Sequence, residues 1–479
     1  MKSISMWRRR FMSKPPAAKT SWLTALAAAV LLVFAAGCSD DDSETSGETA
    51  DAVAVPATTA APVTTAAPTT TEAPEPPPAT TEEPEPMDDM APEVPEVNGR
   101  LLIGDGENSM ISVIDVGSDT VTQDAFDLGA RPTRIYPTKS GRYAIAVATD
   151  ANDVHVFDGG IYLEPHGDHM DLIERDIESL DVDLSGERPV HLYMGADWAG
   201  LFYDGSGDVA FIAEDGLKSD GGDYVAPRIN VGSHHGAVVP LDGDLFAVSY
   251  RHPDYESDPE SYVLPIGAEI VTVDGEVLHQ ELGCEGLHGN GGNGTVAVFG
   301  CIGGAMFVEA HDSSYHGGFV AAPEGEAEDF RLGSVWGTYG LDHFLVSGRA
   351  VGLWVVHPHE GAMELLVPAV EGRSPVAVQF SHDGESFLVL MSNGELRKYD
   401  SESLTLQAAA SGFLAGGVSP DFWERPNMAT APGAIFVTDP GADSVLMLDD
   451  EDLDVVHSWD VAGIPNKIAF VGILDDEDA

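Results

Sequence analysis

From residue 98 onward the chain consists of short β-rich runs separated by Gly-, Asp- and Asn-bearing turns. No long stretch repeats with the 3.6-residue period of a helix. YAIAVATD, LFAVSY, TVAVFG, SFLVLMSNG and AIFVTDP are runs of this kind. Several segments share one order: a strand, a Gly-bearing turn, a second strand, another turn, a third strand. RPTRIYPTKSGRYAIAVATDANDVHVFDGG and SPVAVQFSHDGESFLVLMSNGELRKYDSES both begin near a proline and turn at SG or DG. Both then carry an aromatic residue followed by Asp towards their ends, and PNMATAPGAIFVTDPGADSVLMLDDED fits the same frame. A repeat of about 40–50 residues with three or four strands is the signature of a β-propeller blade.

First strands are expected near residues 133, 191, 236, 287, 335, 376, 428 and 468. The last, NKIAFVG, has too little chain after it to complete a blade. LLIGDG and ISVIDVG, within residues 101–117, can supply the missing strands and close the ring. The expectation is an all-β chain forming an eight-bladed propeller over residues 98–479, closed by its N-terminal strands. Seven blades follow if one first strand is miscounted, and a pair of β-sandwiches is the competing architecture.

Charge narrows the partners. Against 23 Lys and Arg stand 80 Asp and Glu, a formal charge of −57 over 479 residues. Such a field repels nucleic acid and anionic headgroups and attracts cations. Nucleic-acid binding is therefore excluded, although acidity alone does not define a cation site.

The N-terminus carries Lys2, Arg8, Arg9, Arg10, Lys14 and Lys19, then the apolar run WLTALAAAVLLVFAAGC. That run is short for a membrane span and is flanked like a secretory signal. Ala35-Ala36-Gly37-Cys38 resembles the lipobox of bacterial lipoproteins, in which the cysteine is lipidated and becomes the mature N-terminus. Residues 1–38 thus read as a lipoprotein signal peptide, with an ordinary cleaved signal peptide as the alternative. Residues 39–97, rich in Thr, Ala, Pro and Glu, cannot bury enough surface to offset chain entropy. They read as a disordered tether holding the propeller off the membrane. The expected location is the extracytoplasmic face of the cell membrane.

With Cys38 assigned to lipidation, Cys284 and Cys301 remain. In an exported protein two leftover cysteines are expected to pair. They bracket a turn flanked by strand-like residues, and closing such a loop stabilises the fold by about 3 kcal/mol. A cysteine-based metal site is the competitor, but no CxxC spacing supports it.

The sixteen histidines are of unequal interest. His155, His279, His343, His382 and His457 fall in turns or polar strands. His191, His234, His235 and His288 share an address at the start of a blade's first strand, in three consecutive blades. First strands line a propeller's central channel, so these residues converge on its mouth. EPHGDHMDL, at residues 164–172, reads as a long connection between the first and second blades that folds over the mouth, adding His166 and His169. Neutral imidazole suits zinc, which takes four N, O or S ligands. Asp168 would be a carboxylate ligand or the acceptor that fixes a histidine tautomer. Taken alone, an HxxH or HH sequence is more often a polar loop, and a lone His191 a satisfied core histidine; the joint placement is the stronger signal. The acidic turns DVDLSGE and DGSGD lack the spacing of a calcium loop, and neither GxSxG nor a phosphate-binding GxxxxGK[ST] is present.

His166-Gly167-Asp168-His169, Pro189-Val190-His191, His234-His235-Gly236 and Cys284…Leu287-His288-Gly289…Phe299-Gly300-Cys301 resemble, in this order, the motifs of the AztD-type zinc metallochaperones. The similarity spans roughly residues 98–479. Two positions depart from the pattern: Glu285 follows Cys284 where Pro is usual, and NGGNG follows His288-Gly289. The resemblance implies an exported β-propeller without catalytic activity that binds Zn2+ and passes it to the solute-binding protein of a zinc ABC importer. It implies zinc ligation by His166, His169, His191, His234, His235 and His288, and a structural Cys284–Cys301 disulfide. Six histidines exceed one tetrahedral ion, which implies two sites or a collecting loop beside a resting site. The chain is expected to act as a monomer, anchored through Cys38. A metal-dependent propeller hydrolase or lactonase is the alternative function, distinguished by an open coordination position beside a carboxylate base. A metal-free scaffold, acting through residues such as Trp198, Trp336 and Trp354, is the third.

Overall fold

The computed structural model describes residues 95–474, except 168, 257–262, 312, 328 and 349–350. The expected leader, Cys38, all but the last three residues of the tether, and Asp168 lie outside the described residues.

Eight four-stranded antiparallel sheets and one two-stranded hairpin make up the described chain. The first strands are Arg134–Pro137, Pro189–Met194, Val238–Leu241, His288–Gly292, Ser334–Trp336, Pro375–Phe380, Met428–Ala431 and Pro465–Gly472. Each lies within a few residues of its expected position, and the blades are numbered one to eight in this order. Blade eight joins both ends of the chain. Its first strand pairs with Gly99–Asp105, which is followed by Met110–Asp115 and Thr120–Asp127. The fold is an eight-bladed β-propeller, and the seven-bladed and sandwich readings fall away.

The second strands explain why the blades close into a ring. In Tyr143–Ala148 of blade one all six residues are buried. Successive side chains of a strand point to opposite faces, so Tyr143, Ile145 and Val147 pack against blade two while Ala144, Ala146 and Ala148 pack against blade eight. The same division recurs around the ring. There are eight apolar clusters, and each bridges one pair of neighbouring blades. Fully burying a Val, Ile or Phe side chain stabilises by roughly 1.5–3 kcal/mol, so the blades are held in the ring by the apolar contacts each makes with both neighbours.

Antiparallel pairing also fixes which residues share a face. First strands begin, and second strands end, on one face of the ring, here the front. Second strands begin, and third strands end, on the back. The disulfide joins Cys284, in the connection entering blade four, to Cys301 at the end of its second strand, with Cα atoms 5.2 Å apart. This closes the front edge of blade four.

One expectation fails here. EPHGDHMDL does not connect blades one and two. Ile161–His166 and His169–Glu174 form a hairpin inserted within blade one, between its third strand Asp153–Asp158 and its fourth strand Glu178–Leu180. That fourth strand is three residues of ESL, too short and polar to show a β pattern, so the blade looks finished at FDGG. The hairpin springs from the back face. Arg100 Nη1 donates to Gly159 O and Arg175 O at 2.6 and 2.7 Å, and Arg142 and Arg175 hold Asp158 at 2.8 and 2.9 Å. Arg100 and Arg142 stand at the starts of second strands, and that is the back. The Arg142 guanidinium also lies 3.7 Å over the Tyr162 ring.

Candidate metal centre

Three of the expected histidines meet on the front face. His191 is the third residue of blade two's first strand, His235 precedes blade three's by three residues, and His288 opens blade four's. His191 Nε2 stands 3.1 Å from His235 Nε2. Ring centroids are 4.6 Å apart for His191–His235, 5.4 Å for His235–His288 and 6.2 Å for His191–His288. Tetrahedral zinc with Zn–N bonds near 2.0–2.1 Å spaces its ligand nitrogens about 3.3–3.4 Å apart. The His191–His235 pair is therefore at ligand spacing, and the His288 ring stands farther from each of them than they stand from one another.

The partners of these rings set their tautomers. His235 Nδ1 lies 2.6 Å from Asp204 Oδ2, with both side chains buried. Asp204 Oδ1 in turn accepts from Gly236 N at 3.3 Å. A carboxylate acceptor fixes the proton on Nδ1 and leaves the lone pair on Nε2, as metal ligation requires. His288 Nδ1 is 2.8 Å from Gly333 O, a carbonyl that can only accept, so its lone pair is also on Nε2. Burial, reinforced by His235, His288 and Arg134, holds the His191 imidazole well below its usual value. A neutral ring is the form that ligates.

His234, expected in the same group, is directed elsewhere. Its Nδ1 is 2.7 Å from Gly232 O and its Nε2 is 2.9 Å from Ser249 Oγ, with the ring set edge-on to Phe202. Ser249 Oγ also accepts from Ala237 N. Both imidazole nitrogens are engaged in packing the entrance to blade three, which removes His234 from the ligand set. Adjacent residues in a non-strand segment face different ways, so one HH dipeptide supplies one channel residue and one core residue. Burial pulls His234 down from 6.5 to about 4.

His166 and His169 do not join this group, because their hairpin rises from the opposite face. They pair across its two strands, with ring centroids 5.3 Å apart. Asp171 bridges them: Oδ2 is 2.8 Å from His166 Nδ1, and Oδ1 is 3.1 Å from His169 Nε2. His166 and His169 are 73% and 59% exposed. Among the described residues this is the group of His, Cys, Asp or Glu whose three ligand atoms all fall within 4.8 Å of one another. The two candidate centres are thus of different kinds. The hairpin group is compact but open to water, whereas the channel group is half-buried and oriented by second partners.

Asp204, Asp171 and the Gly333 carbonyl were not singled out in the sequence. Asp204 opens DGSGD, which reads locally as an acidic turn. The signal that could find it is topological: it directly follows the end of a second strand, on the face where the next blade's first strand begins.

Fold and centre together define a β-propeller with an imidazole cluster suited to a transition metal at one channel mouth. The comparisons narrow this to one group of relatives. The chain is similar to the zinc chaperone AztD of Citrobacter koseri, 26% identical over 388 residues that span 78% of this chain and 86% of that one. Two solved structures of Citrobacter koseri AztD, one of them the apo form, superpose with a TM-score of 0.67 at 22% identity. Each match covers 78% of this chain and 98% of that one. The resemblance to the AztD-type chaperones read from the motifs is found again in both comparisons. No family model matches the chain.

Proposed function

We propose that the protein is an extracytoplasmic zinc chaperone, anchored as a monomeric lipoprotein through Cys38. It hands zinc to the solute-binding protein of a zinc ABC importer. The observation that carries this reading is the meeting of His191, His235 and His288 from three blades, with Asp204 and Gly333 O holding the tautomers that ligate. The likeness to AztD supports zinc as the cargo.

Three imidazoles leave one position of a tetrahedral ion for water or for an incoming ligand. Zinc then leaves by exchange: a ligand of the acceptor occupies the fourth position, and the more distant His288 is the first imidazole to let go. No bond of a substrate is broken, so the role is transfer and not catalysis. His166, His169 and Asp171 form a second, solvent-open group on the back face, which collects zinc more weakly. The charge of −57 concentrates cations around both.

The test is transfer. Protein loaded with one zinc is mixed with a metal-free zinc solute-binding protein, or with a chelator of matched affinity. Faster loss to the protein acceptor than to the chelator is expected. Equal rates, or no zinc uptake at all, would overturn the reading.

A further inference from the structure

The front rim continues past the histidines into cationic residues. Going back around the ring from His191, blade one opens its first strand with Arg134, and blade eight carries Lys467 as the third residue of its own. Phe422 and Trp423, from the connection that enters blade seven, cover them. Lys467 Nζ lies 4.0 Å over the Phe422 ring and 5.6 Å from that of Trp423. The Arg134 guanidinium is 5.2 Å from the Phe422 ring and that of Arg131 is 4.0 Å from Trp423. The two rings are 5.1 Å apart, so three cations stand on one aromatic platform.

No carboxylate answers them. Lys467 is 5% exposed, and its Nζ donates to a neutral acceptor, Asn466 Oδ1, at 2.7 Å. Arg134 donates to Thr133 O and Arg131 to Gly106 O. Among the described residues none of the three has an acidic oxygen within 4.0 Å, while Arg100, Arg142, Arg175, Arg373, Arg397 and Lys398 all do. The acidic groups of this neighbourhood are committed elsewhere. Asp105 accepts from Glu107 N, Asn108 Nδ2 and Ile464 N, Asp421 from Trp423 N, and Glu424 from Ser419 Oγ. A chain with 80 acidic residues against 23 basic ones has thus left three cations together without one. A ring face returns only part of the hydration that a buried ammonium loses. Burial, with Arg134 and Arg425 nearby, accordingly holds Lys467 well below the ordinary lysine value.

We propose that this arc binds a small oxyanion carrying at least two negative charges, with Arg131, Arg134 and Lys467 as its counter-charges and Phe422 and Trp423 as its wall. Inorganic phosphate is the simplest such ligand. Arg134 also lies within electrostatic reach of His191, so a bound anion would relieve repulsion toward a cation held there. That coupling rests on the zinc reading; the anion site itself does not.

The experiment is calorimetric titration of the purified, metal-free protein with phosphate and, separately, with acetate. Wild type, Lys467→Met and Arg134→Gln are compared. Saturable binding of one phosphate is expected, at least tenfold tighter than acetate and weakened at least tenfold in both variants. Arg134 is half-exposed, so its variant keeps the test alive if Lys467→Met fails to fold. No saturable phosphate binding, or unchanged affinity in Arg134→Gln, would overturn the proposal. Acetate binding as tightly as phosphate would overturn the doubly charged ligand. Because no zinc is present, either failure leaves the chaperone reading standing.

Discussion

His234 provides a test of the site that needs no metal. Its ring is 1% exposed, with Nδ1 on Gly232 O and Nε2 on Ser249 Oγ. The neutral imidazole satisfies both contacts, Nδ1–H donating to Gly232 O and Nε2 accepting from Ser249 Oγ, while burial penalises the protonated ring. Folding therefore pulls this group down from 6.5 to about 4. Above pH 6.5 both folded and unfolded forms are neutral and the shift has no effect. As the pH falls below 6.5 the unfolded chain takes up a proton that the folded chain refuses, and stability is lost. Below about 4 the folded form protonates too and the loss stops growing. At about 1.36 kcal/mol per pH unit the full loss is roughly 3 kcal/mol, of which about 2 kcal/mol accrues between pH 7.5 and 5.0. Urea unfolding of the metal-free protein at those two pH values, for wild type and His234→Gln, isolates the effect. Wild type should lose about 2 kcal/mol more than the variant on acidification. Equal losses would refute the assignment of His234 as a buried, neutral packing residue.

Other outcomes follow from the same geometry. Asp204→Asn keeps an acceptor beside His235 but weakens its hold on the Nδ1 proton; zinc affinity should fall about 10–100-fold with the fold unchanged by circular dichroism. Replacing Cys284 and Cys301 together by Ala should lower unfolding free energy by about 3 kcal/mol in urea, and an unchanged midpoint would contradict that. His166→Ala/His169→Ala should remove the weaker zinc equivalent and leave the tighter one, whereas loss of the tight one would show that the two faces do not act separately.

Much of this was legible because a propeller writes its repeat into second strands such as Tyr143–Ala148 and Phe436-centred Ala434–Asp439, which must be apolar on both faces. Once those strands are placed, first-strand starts follow, and with them the meeting of His191, His235 and His288. What stayed hidden has physical causes. The fourth strand of blade one, Glu178–Leu180, holds its place by three pairings with the third strand and not by an apolar pattern, so the sequence pattern points the hairpin to the wrong connection and the wrong face. The side-chain directions of His234 and His235 are decided by Ser249 and Asp204, which are 15 and 31 residues away. Asp204 and Lys467 acquire meaning only from neighbouring blades, and no local spacing announces either.

The central claim is that the channel histidines hold zinc, and a competition titration with a zinc chelator tests it most directly. Wild type and His191→Ala/His235→Ala would be titrated side by side. The account predicts one tight zinc in wild type and at least a hundredfold weaker binding in the variant, with the hairpin's weaker equivalent retained. Tight zinc binding undiminished in the variant, or none in wild type, would contradict it.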